Sequence, residues 1–433
     1  MQQSRKCKGM QDILPDDMLR FRYIEDVFRD CCREWSYKEI RTPTLDYLHL
    51  FTATGTLTPG MLGKVYSFLD WDGWSGERVV LRPDGTIPVA RLYIDNLICS
   101  EAAKGGGGED KELNNSLFTA KPYRLFYVTN IFAFEETGKD NRERWQCGAE
   151  FFGGAKFAAD VEIILLAKEV INKLGLSRVK LQLSHAGLVK ALIKEFKLSS
   201  SEETRLTDRV LEGDWQALTA VKTSSPELDR LISSLLNLKG KSSSFLNNIR
   251  ALTTQSSPDF KSSLDDFINI TTLLDSMGCN YEIDTKAMQG FEYYTGACFQ
   301  LSAGGKKVGG GGRYDNLVPL MNGEETPACG FALYVDPIIR LLPSKREDKA
   351  NILVKGEELS SEIAKTCFTL AGSLRNAGYH TELDFTGREE ADYRWVILVS
   401  GKKPSPFVVI DCRQKRQRKA ADADEIFLIL GQE

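Results

Sequence analysis

The chain has 433 residues, 42% hydrophobic and 27% charged, which excludes a wholly disordered polypeptide and provides for two or three domains of about 150 residues each. Lys and Arg number 56 against 60 Asp and Glu, so a net charge of -4 gives no global attraction to nucleic acid. No apolar run reaches the roughly 20 residues a membrane-spanning helix needs, and the polar start Met1-Gln2-Gln3-Ser4-Arg5-Lys6 does not read as a signal peptide.

The first periodic segment, Met18 to Trp35, places Phe21, Ile24, Val27, Phe28, Cys31 and Cys32 at helical spacing and predicts an amphipathic helix. Pro43 interrupts regularity, so Thr42-Pro43-Thr44 leaves that helix as an extended segment. Arg78 to Leu81 predicts a strand, Pro83-Asp84-Gly85 a turn, and Thr86 or Ile87 the start of a helix. Glu101 to Asn115, with Gly105 to Gly108 at its centre, reads as a surface loop. Tyr123 to Phe134 and Trp145 to Phe152 carry the pattern of two hairpin strands joined by the polar stretch Glu135 to Arg144. Asp160 is expected to cap a helix that runs to Leu174 and stops at Gly175. Residues 186–275 read as a serine-punctuated helical insertion. Strands return at 281–284, 291–301 and 327–335, divided by the run Gly309 to Gly312.

The strands of residues 1–342 come in clusters joined by hairpin-like turns, which predicts an α+β core with a largely antiparallel sheet. Pro343 to Lys349 reads as a linker. Residues 350–433 alternate between strand (352–354), helix (361–377, stopped by Gly378) and strands at 380–385, 394–399 and 406–411, the pattern of a small α/β domain. The basic run Arg413 to Lys419 is expected to form a solvated turn or helix before an apolar strand, Glu425 to Leu430, in preference to an RNA grip.

Ten cysteines form no Cys-x-x-Cys pair and there are three histidines, so no metal site is expected, and the thiols read as reduced ones of a cytoplasmic protein. Gly309 to Gly312 is followed by no Lys-Ser/Thr and is not a P-loop; close backbone packing beside a pocket suits it better.

Six segments occur in an order that resembles the histidyl-tRNA synthetase family: Lys8-Gly9-Met10-Gln11-Asp12-Ile13-Leu14-Pro15, Glu39-Ile40-Arg41-Thr42-Pro43, Leu81-Arg82-Pro83-Asp84-Gly85-Thr86, Gln146-Cys147-Gly148-Ala149-Glu150, Gly290-Phe291-Glu292-Tyr293-Tyr294-Thr295-Gly296 and Gly311-Gly312-Arg313-Tyr314-Asp315. The resemblance implies a class II aminoacyl-tRNA synthetase-like antiparallel sheet flanked by helices, with the helical insertion and a degenerate anticodon-binding domain at 350–433. It also implies a homodimer formed through the core, and a pocket for histidine lined by Asp84, Thr86, Gln146, Glu150, Tyr293, Tyr294 and Tyr314. Carboxylates that meet an ammonium group, with an amide and phenols that satisfy a polar ligand away from water, suit that role. On the local sequence alone, Asp84 also fits a helix cap and Glu150 a solvated strand position.

Forming an aminoacyl-adenylate brings a carboxylate against a phosphate, so fixed guanidinium groups must neutralise the transition state. The family places arginines at three positions where this chain has Ala133, Gln289 and Pro337. Arg142 and Arg144 remain as candidate phosphate contacts. The pattern therefore resembles more closely a non-catalytic paralogue family, the regulatory subunits of ATP phosphoribosyltransferase. Asp84 in the turn, Ser184-His185-Ala186-Gly187-Leu188 and Gly213-Asp214-Trp215-Gln216-Ala217-Leu218 share that resemblance, with His185 expected as a cap or packed residue. It implies a short-form ATP phosphoribosyltransferase catalytic subunit as partner, no catalytic group or cofactor of its own, and no tRNA or membrane partner. Gln289 removes a cation that would hold a ligand's carboxylate. A divergent histidyl-tRNA synthetase and an orphan synthetase-like binding module are the alternatives.

Overall fold

The apolar stripe that begins at Phe21 is buried along helix α1 (Pro15–Glu34), whose Phe21, Ile24, Phe28, Cys31 and Cys32 recur every three or four residues. The helix starts three residues before the expected point because Pro15 sits in its first turn, followed by Asp16 and Asp17, which complement the helix dipole. The structure is a computed structural model. It describes residues 6–55, 57, 62, 65–70, 76–104, 122–132, 141–154, 156–176, 178–211, 213–221, 226–236, 239–240, 242–253, 256–287, 293–343, 352–358, 360–385, 393–400 and 406–431. The chain divides into two units, Met1–Ser344 and Lys345–Glu433.

In the first unit, α1 is followed by β1 (Lys38–Glu39), β2 (Leu45–Tyr47), α2 (Leu48–Ala53), β3 (Ser67–Leu69), β4 (Arg78–Leu81) and α3 (Thr86–Lys104). The hairpin β5 (Tyr123–Phe132) and β6 (Glu143–Phe152) leads into α4 (Lys156–Lys173) and β7 (Lys180–His185). The insertion comprises α5 (Ala186–Glu195), α6 (Ser200–Leu211), α7 (Gln216–Ala220), α8 (Pro226–Leu236), a short strand β8 (Lys239–Gly240), α9 (Ser244–Leu252) and α10 (Pro258–Ser276). The unit closes with β9 (Glu282–Asp284), β10 (Ala297–Ala303), β11 (Lys306–Arg313), α11 (Leu317–Leu320), β12 (Ala328–Tyr334) and α12 (Val335–Ile339).

Among the described residues, nine strands form one sheet in the order β1-β5-β6-β12-β11-β10-β7-β9-β8, and only its β1/β5 and β7/β9 pairs are parallel. A separate antiparallel sheet has the order β2-β4-β3. One face of the large sheet is closed by α1 and α4: Phe28 of α1 packs edge-on against Phe126 of β5 and Phe331 of β12. The residues between these, one step along each strand, point to the opposite face, where the candidate site lies.

Several sequence expectations are corrected. Helix α4 starts at Lys156, so Asp160 is a buried residue inside it and not its cap; Arg313 holds its carboxylate there. Gly175, at φ +78, ends that helix in the left-handed turn glycine adopts readily. Gly309 to Gly312 does not divide strands but is itself part of strand β11, paired with β10 and β12; a side chain at Gly311 would stand 2.2 Å from the carbonyl oxygen of Gly330. The expected strand at 291–301 begins only at Ala297; residues 291 and 292 lie outside the described residues, as do most of the 101–115 and 135–144 loops and the linker.

The second unit contains β13 (Ile352–Gly356), α13 (Ser361–Asn376), β14 (Thr381–Asp384), β15 (Trp395–Val399), β16 (Phe407–Asp411), β17 (Arg416–Ala420) and α14 (Ala423–Leu430). Its sheet has the order β14-β13-β15-β16-β17, with both β13 pairings parallel. The basic run is the expected turn over residues 413–415 and then, in place of a helix, strand β17: the Asp411 carboxylate accepts from the backbone of Arg413 and Gln414 and turns the chain back along β16. Glu425 to Leu430 is a helix and not a strand, since Asp422 caps it by accepting from the Glu425 backbone N–H.

Candidate functional site

Strand β6 alternates sharply. Cys147, Ala149 and Phe151 face the α1/α4 side, so Gln146, Gly148 and Glu150 face the other. Their direct neighbours on that face are Thr129, Tyr127 and Leu125 of β5 and Tyr334, Ala332 and Gly330 of β12. Glu150 has no solvent exposure. Its Oε1 accepts from the Thr86 hydroxyl at 2.8 Å and the Tyr127 hydroxyl at 3.2 Å, and its Oε2 accepts from the Tyr314 hydroxyl. Gly330 makes this possible, because a Cβ there would stand 1.7 Å from Glu150 Oε2.

Burial pushes the Glu150 carboxyl up to about 8, a rise that the nearby Asp84 charge reinforces and the three hydroxyls oppose. The same burial keeps the Tyr127 and Tyr314 phenols protonated, so both act as donors. Glu150 is thus a buried acid that holds its proton around neutrality until a positive or donor group displaces it. The solvated strand position is excluded.

Arg82 places Thr86 beside this carboxyl. Its buried guanidinium donates to the carbonyls of Thr42 and Pro43 at 2.9 Å and to both oxygens of Asn130, at 2.7 and 2.8 Å, pinning the Leu81-Arg82-Pro83 segment to β5. Asp84 then accepts from the backbone N–H groups of Thr86 (2.8 Å) and Ile87 (3.0 Å). It therefore is the cap of α3, and burial raises its carboxyl while these donors lower it. Asp84 is also close enough for its charge to bear on Glu150, Tyr293 and Tyr334.

Tyr293, Tyr294 and Tyr314 are buried as an aromatic wall; the Tyr293 ring meets the other two edge-on at 5.1 and 5.7 Å between centroids. Lys190 of α5 donates to the Tyr294 carbonyl at 2.8 Å and fixes that turn. Behind Tyr314, Arg313 donates to both oxygens of buried Asp160 at 2.9–3.0 Å and to Asp315 at 3.0 Å. Gln146 is 5% exposed, and its buried Oε1 has no hydrogen-bond partner among the described residues. A buried acceptor left unpaired costs about 1–3 kcal/mol, so this atom is open to a further donor.

The remaining sequence candidates fall elsewhere. Arg142 is engaged with the Lys8-Gly9 segment: its backbone N–H donates to the Gly9 carbonyl at 2.7 Å, its stem lies over Gly9, and its guanidinium donates to the Tyr66 hydroxyl. Arg144 is not in a loop but in β6, on the face of Gln146, and donates to the Asn141 carbonyl at 3.0 Å. Pro337 lies in the first turn of α12, where a proline is tolerated. Ala133 and Gln289 lie outside the described residues. His185 caps α5, its Nδ1 accepting from the Leu188 N–H at 3.0 Å. Among the described residues, no three His, Cys, Asp or Glu side chains cluster as metal ligands, and no helix is long and apolar enough to cross a membrane.

Sequence inspection missed Tyr127, Arg82, Asp160 and Lys190. Arg82 stood inside one of the family segments, and Tyr127 is a polar-tipped aromatic in phase with the inward face of a strand.

A family profile described as histidyl-tRNA synthetase matches residues 9–104 and 113–338. An ATP phosphoribosyltransferase regulatory subunit from Dehalococcoides mccartyi is 43% identical over 433 residues, covering 99% of this chain and 98% of that protein. A histidine–tRNA ligase from Methanocaldococcus jannaschii is 31% identical over 392 residues, covering 89% of this chain and 87% of its own. Among solved structures, an ATP phosphoribosyltransferase regulatory subunit/histidyl-tRNA synthetase from Bacillus halodurans matches with a TM-score of 0.74 at 24% identity, over 92% of this chain and 99% of that one. Apo histidyl-tRNA synthetase from S. aureus matches with a TM-score of 0.67 at 21% identity, over 98% and 99%. These two likenesses establish the class II synthetase-like fold. The profile and the full-length identities establish the lineage: the chain belongs to the histidyl-tRNA synthetase family and, within it, groups with the ATP phosphoribosyltransferase regulatory subunits.

Proposed function

We propose that this chain is a non-catalytic regulatory subunit of ATP phosphoribosyltransferase, acting in histidine biosynthesis in the cytoplasm, and that histidine bound around Glu150 is the signal it passes to a short-form catalytic subunit. The observation that carries the ligand reading is the buried Glu150 carboxyl with its Thr86, Tyr127 and Tyr314 donors. An imidazole N–H suits Glu150. An α-ammonium group suits the Asp84 charge, which is felt at Tyr334, and the unpaired Oε1 of Gln146 beside that tyrosine.

The absence of arginine at positions 133, 289 and 337 supports the non-catalytic half. Removing one fixed donor from a transition state typically costs about 2.7–4 kcal/mol, and loss of three leaves no useful adenylation. A homodimer is supported by the small sheet, where Leu45, Tyr47 and Phe68 lie on one face and are each more than 40% exposed, an apolar surface that a second copy would cover.

The test is to mix the protein with a short-form catalytic subunit. Co-elution, increased transferase activity and inhibition of that activity by histidine are expected; separate elution with unchanged activity overturns the reading. Histidine-dependent exchange of pyrophosphate with ATP is expected to be absent. Its presence would favour the ligase, to which the relative from Methanocaldococcus jannaschii gives weight.

A further inference from the structure

One end of the pocket is acidic, with Asp84 and Glu150. A ligand with a carboxylate needs a positive charge at the other end, and Gln289 supplies none from the position where the family has arginine. Strand β11 carries a lysine on the required side. Gly310 pairs with Ala332 of β12, and Ala332 pairs with Gly148 of β6, so a side chain laid over the side of Gly310 where a Cβ would point lies on the face of Gln146 and Glu150. Lys307 is that side chain: its Cε stands 3.6 Å from where a Cβ on Gly310 would be. Its ammonium group lies 5.9 Å from the centre of the Tyr334 ring, and Tyr334 is the direct cross-strand neighbour of Gln146.

The spacing suits an amino acid. Gly310 is level with Ala332 and Glu150 with Gly330, two residues along β12, and β11 and β6 flank β12 on its two sides, so the backbones of Gly310 and Glu150 stand about 12 Å apart, a span that the Lys307 and Glu150 side chains enter from either end. We propose that Lys307 is the carboxylate anchor of this pocket, holding an α-amino acid whose ammonium meets Gln146 and Asp84 and whose side chain donates to Glu150. This inference rests on the pocket reading above and replaces the missing guanidinium with a cation from another strand.

Electrostatics agree with the geometry. Burial pulls the Lys307 ammonium down to about 8, so a bound carboxylate would hold it charged. Arg144, another cation on this face, donates to the Asn141 carbonyl, and its charge bears on Asp336 as well as on Tyr334. Lys190 is committed to the Tyr294 carbonyl.

The test is calorimetric titration of the full-length protein with L-histidine and with L-histidinol, which keeps the ammonium and the imidazole but lacks the carboxylate. The wild type is expected to bind histidine at least tenfold more tightly than histidinol. Lys307→Met is expected to remove that preference by weakening histidine alone, and Lys307→Arg to retain part of it. The unchanged histidinol affinity shows that Lys307→Met is folded. Equal affinity of the wild type for both ligands, or a Lys307→Met variant that weakens both equally or neither, overturns the anchor while the pocket stands. A wild type that binds neither ligand overturns the pocket reading, and the anchor with it.

Discussion

The Tyr314 hydroxyl donates to Oε2 of Glu150, a carboxyl group with no exposure to solvent. The two residues are 164 positions apart; Glu150 is on β6 and Tyr314 follows directly on β11, the two strands that flank β12, whose Gly330 leaves the space between them open. A carboxyl group held this way is tuned by its surroundings, and its titration has measurable consequences.

The first concerns stability. Glu150 ionises near 4.5 in an unfolded chain and at about 8 in the ligand-free protein, so the folded state holds a proton that the unfolded state has released between those values. Stability contributed by this group is present below about 4.5 and falls as pH rises toward 8. Thermal melts of the ligand-free protein are expected to show the decline, and Glu150→Gln, which keeps the shape without the charge, to flatten it. Parallel profiles for the two proteins contradict the assignment.

A second consequence is proton release. If a positive or donor group of the ligand meets Glu150, the carboxyl ionises on binding and the complex sheds up to about one proton near pH 7. Calorimetry in two buffers of different ionisation heat measures it. Identical binding enthalpies in the two buffers would place the ligand away from Glu150.

Gly330 admits no side chain. A Cβ there would stand 1.7 Å from Glu150 Oε2 and 2.7 Å from the Ala149 carbonyl oxygen. Gly330→Ala is expected to displace the carboxyl, abolish histidine binding and lower the melting temperature. Gly372, inside α13 with open space where a Cβ would stand, provides the contrast: Gly372→Ala should stabilise the second unit by about 0.5–1 kcal/mol, read from denaturant unfolding.

The Arg313–Asp160 pair ties Tyr314 to α4. Both side chains are under 10% exposed, and removing one partner strands a buried charge at a cost of about 3–5 kcal/mol. Asp160→Ala is expected to lower the midpoint of urea unfolding accordingly and to weaken histidine binding through Tyr314. A shift under about 1 kcal/mol would mean that the Lys156 carbonyl and Asp315 alone satisfy Arg313.

Much was legible in the chain before any fold was seen. The stripe from Phe21 to Cys32 encodes a helix and its buried face, because side-chain spacing follows backbone period directly. Asp84, Thr86, Glu150 and Tyr314 were recognisable from the short segments that contain them. The misreadings came from residues whose conformation depends on distant neighbours. Gly309 to Gly312 has no local preference for a strand and becomes one because β10 and β12 supply its hydrogen bonds. Asp160 resembles a cap and is instead buried, because Arg313 arrives from 153 residues away. Periodicity records which face a segment buries but carries no information on which segment covers it. Folding therefore chose the three hydroxyls around Glu150, the raised affinity of that carboxyl for its proton, and the placement of Lys307 across Gly310.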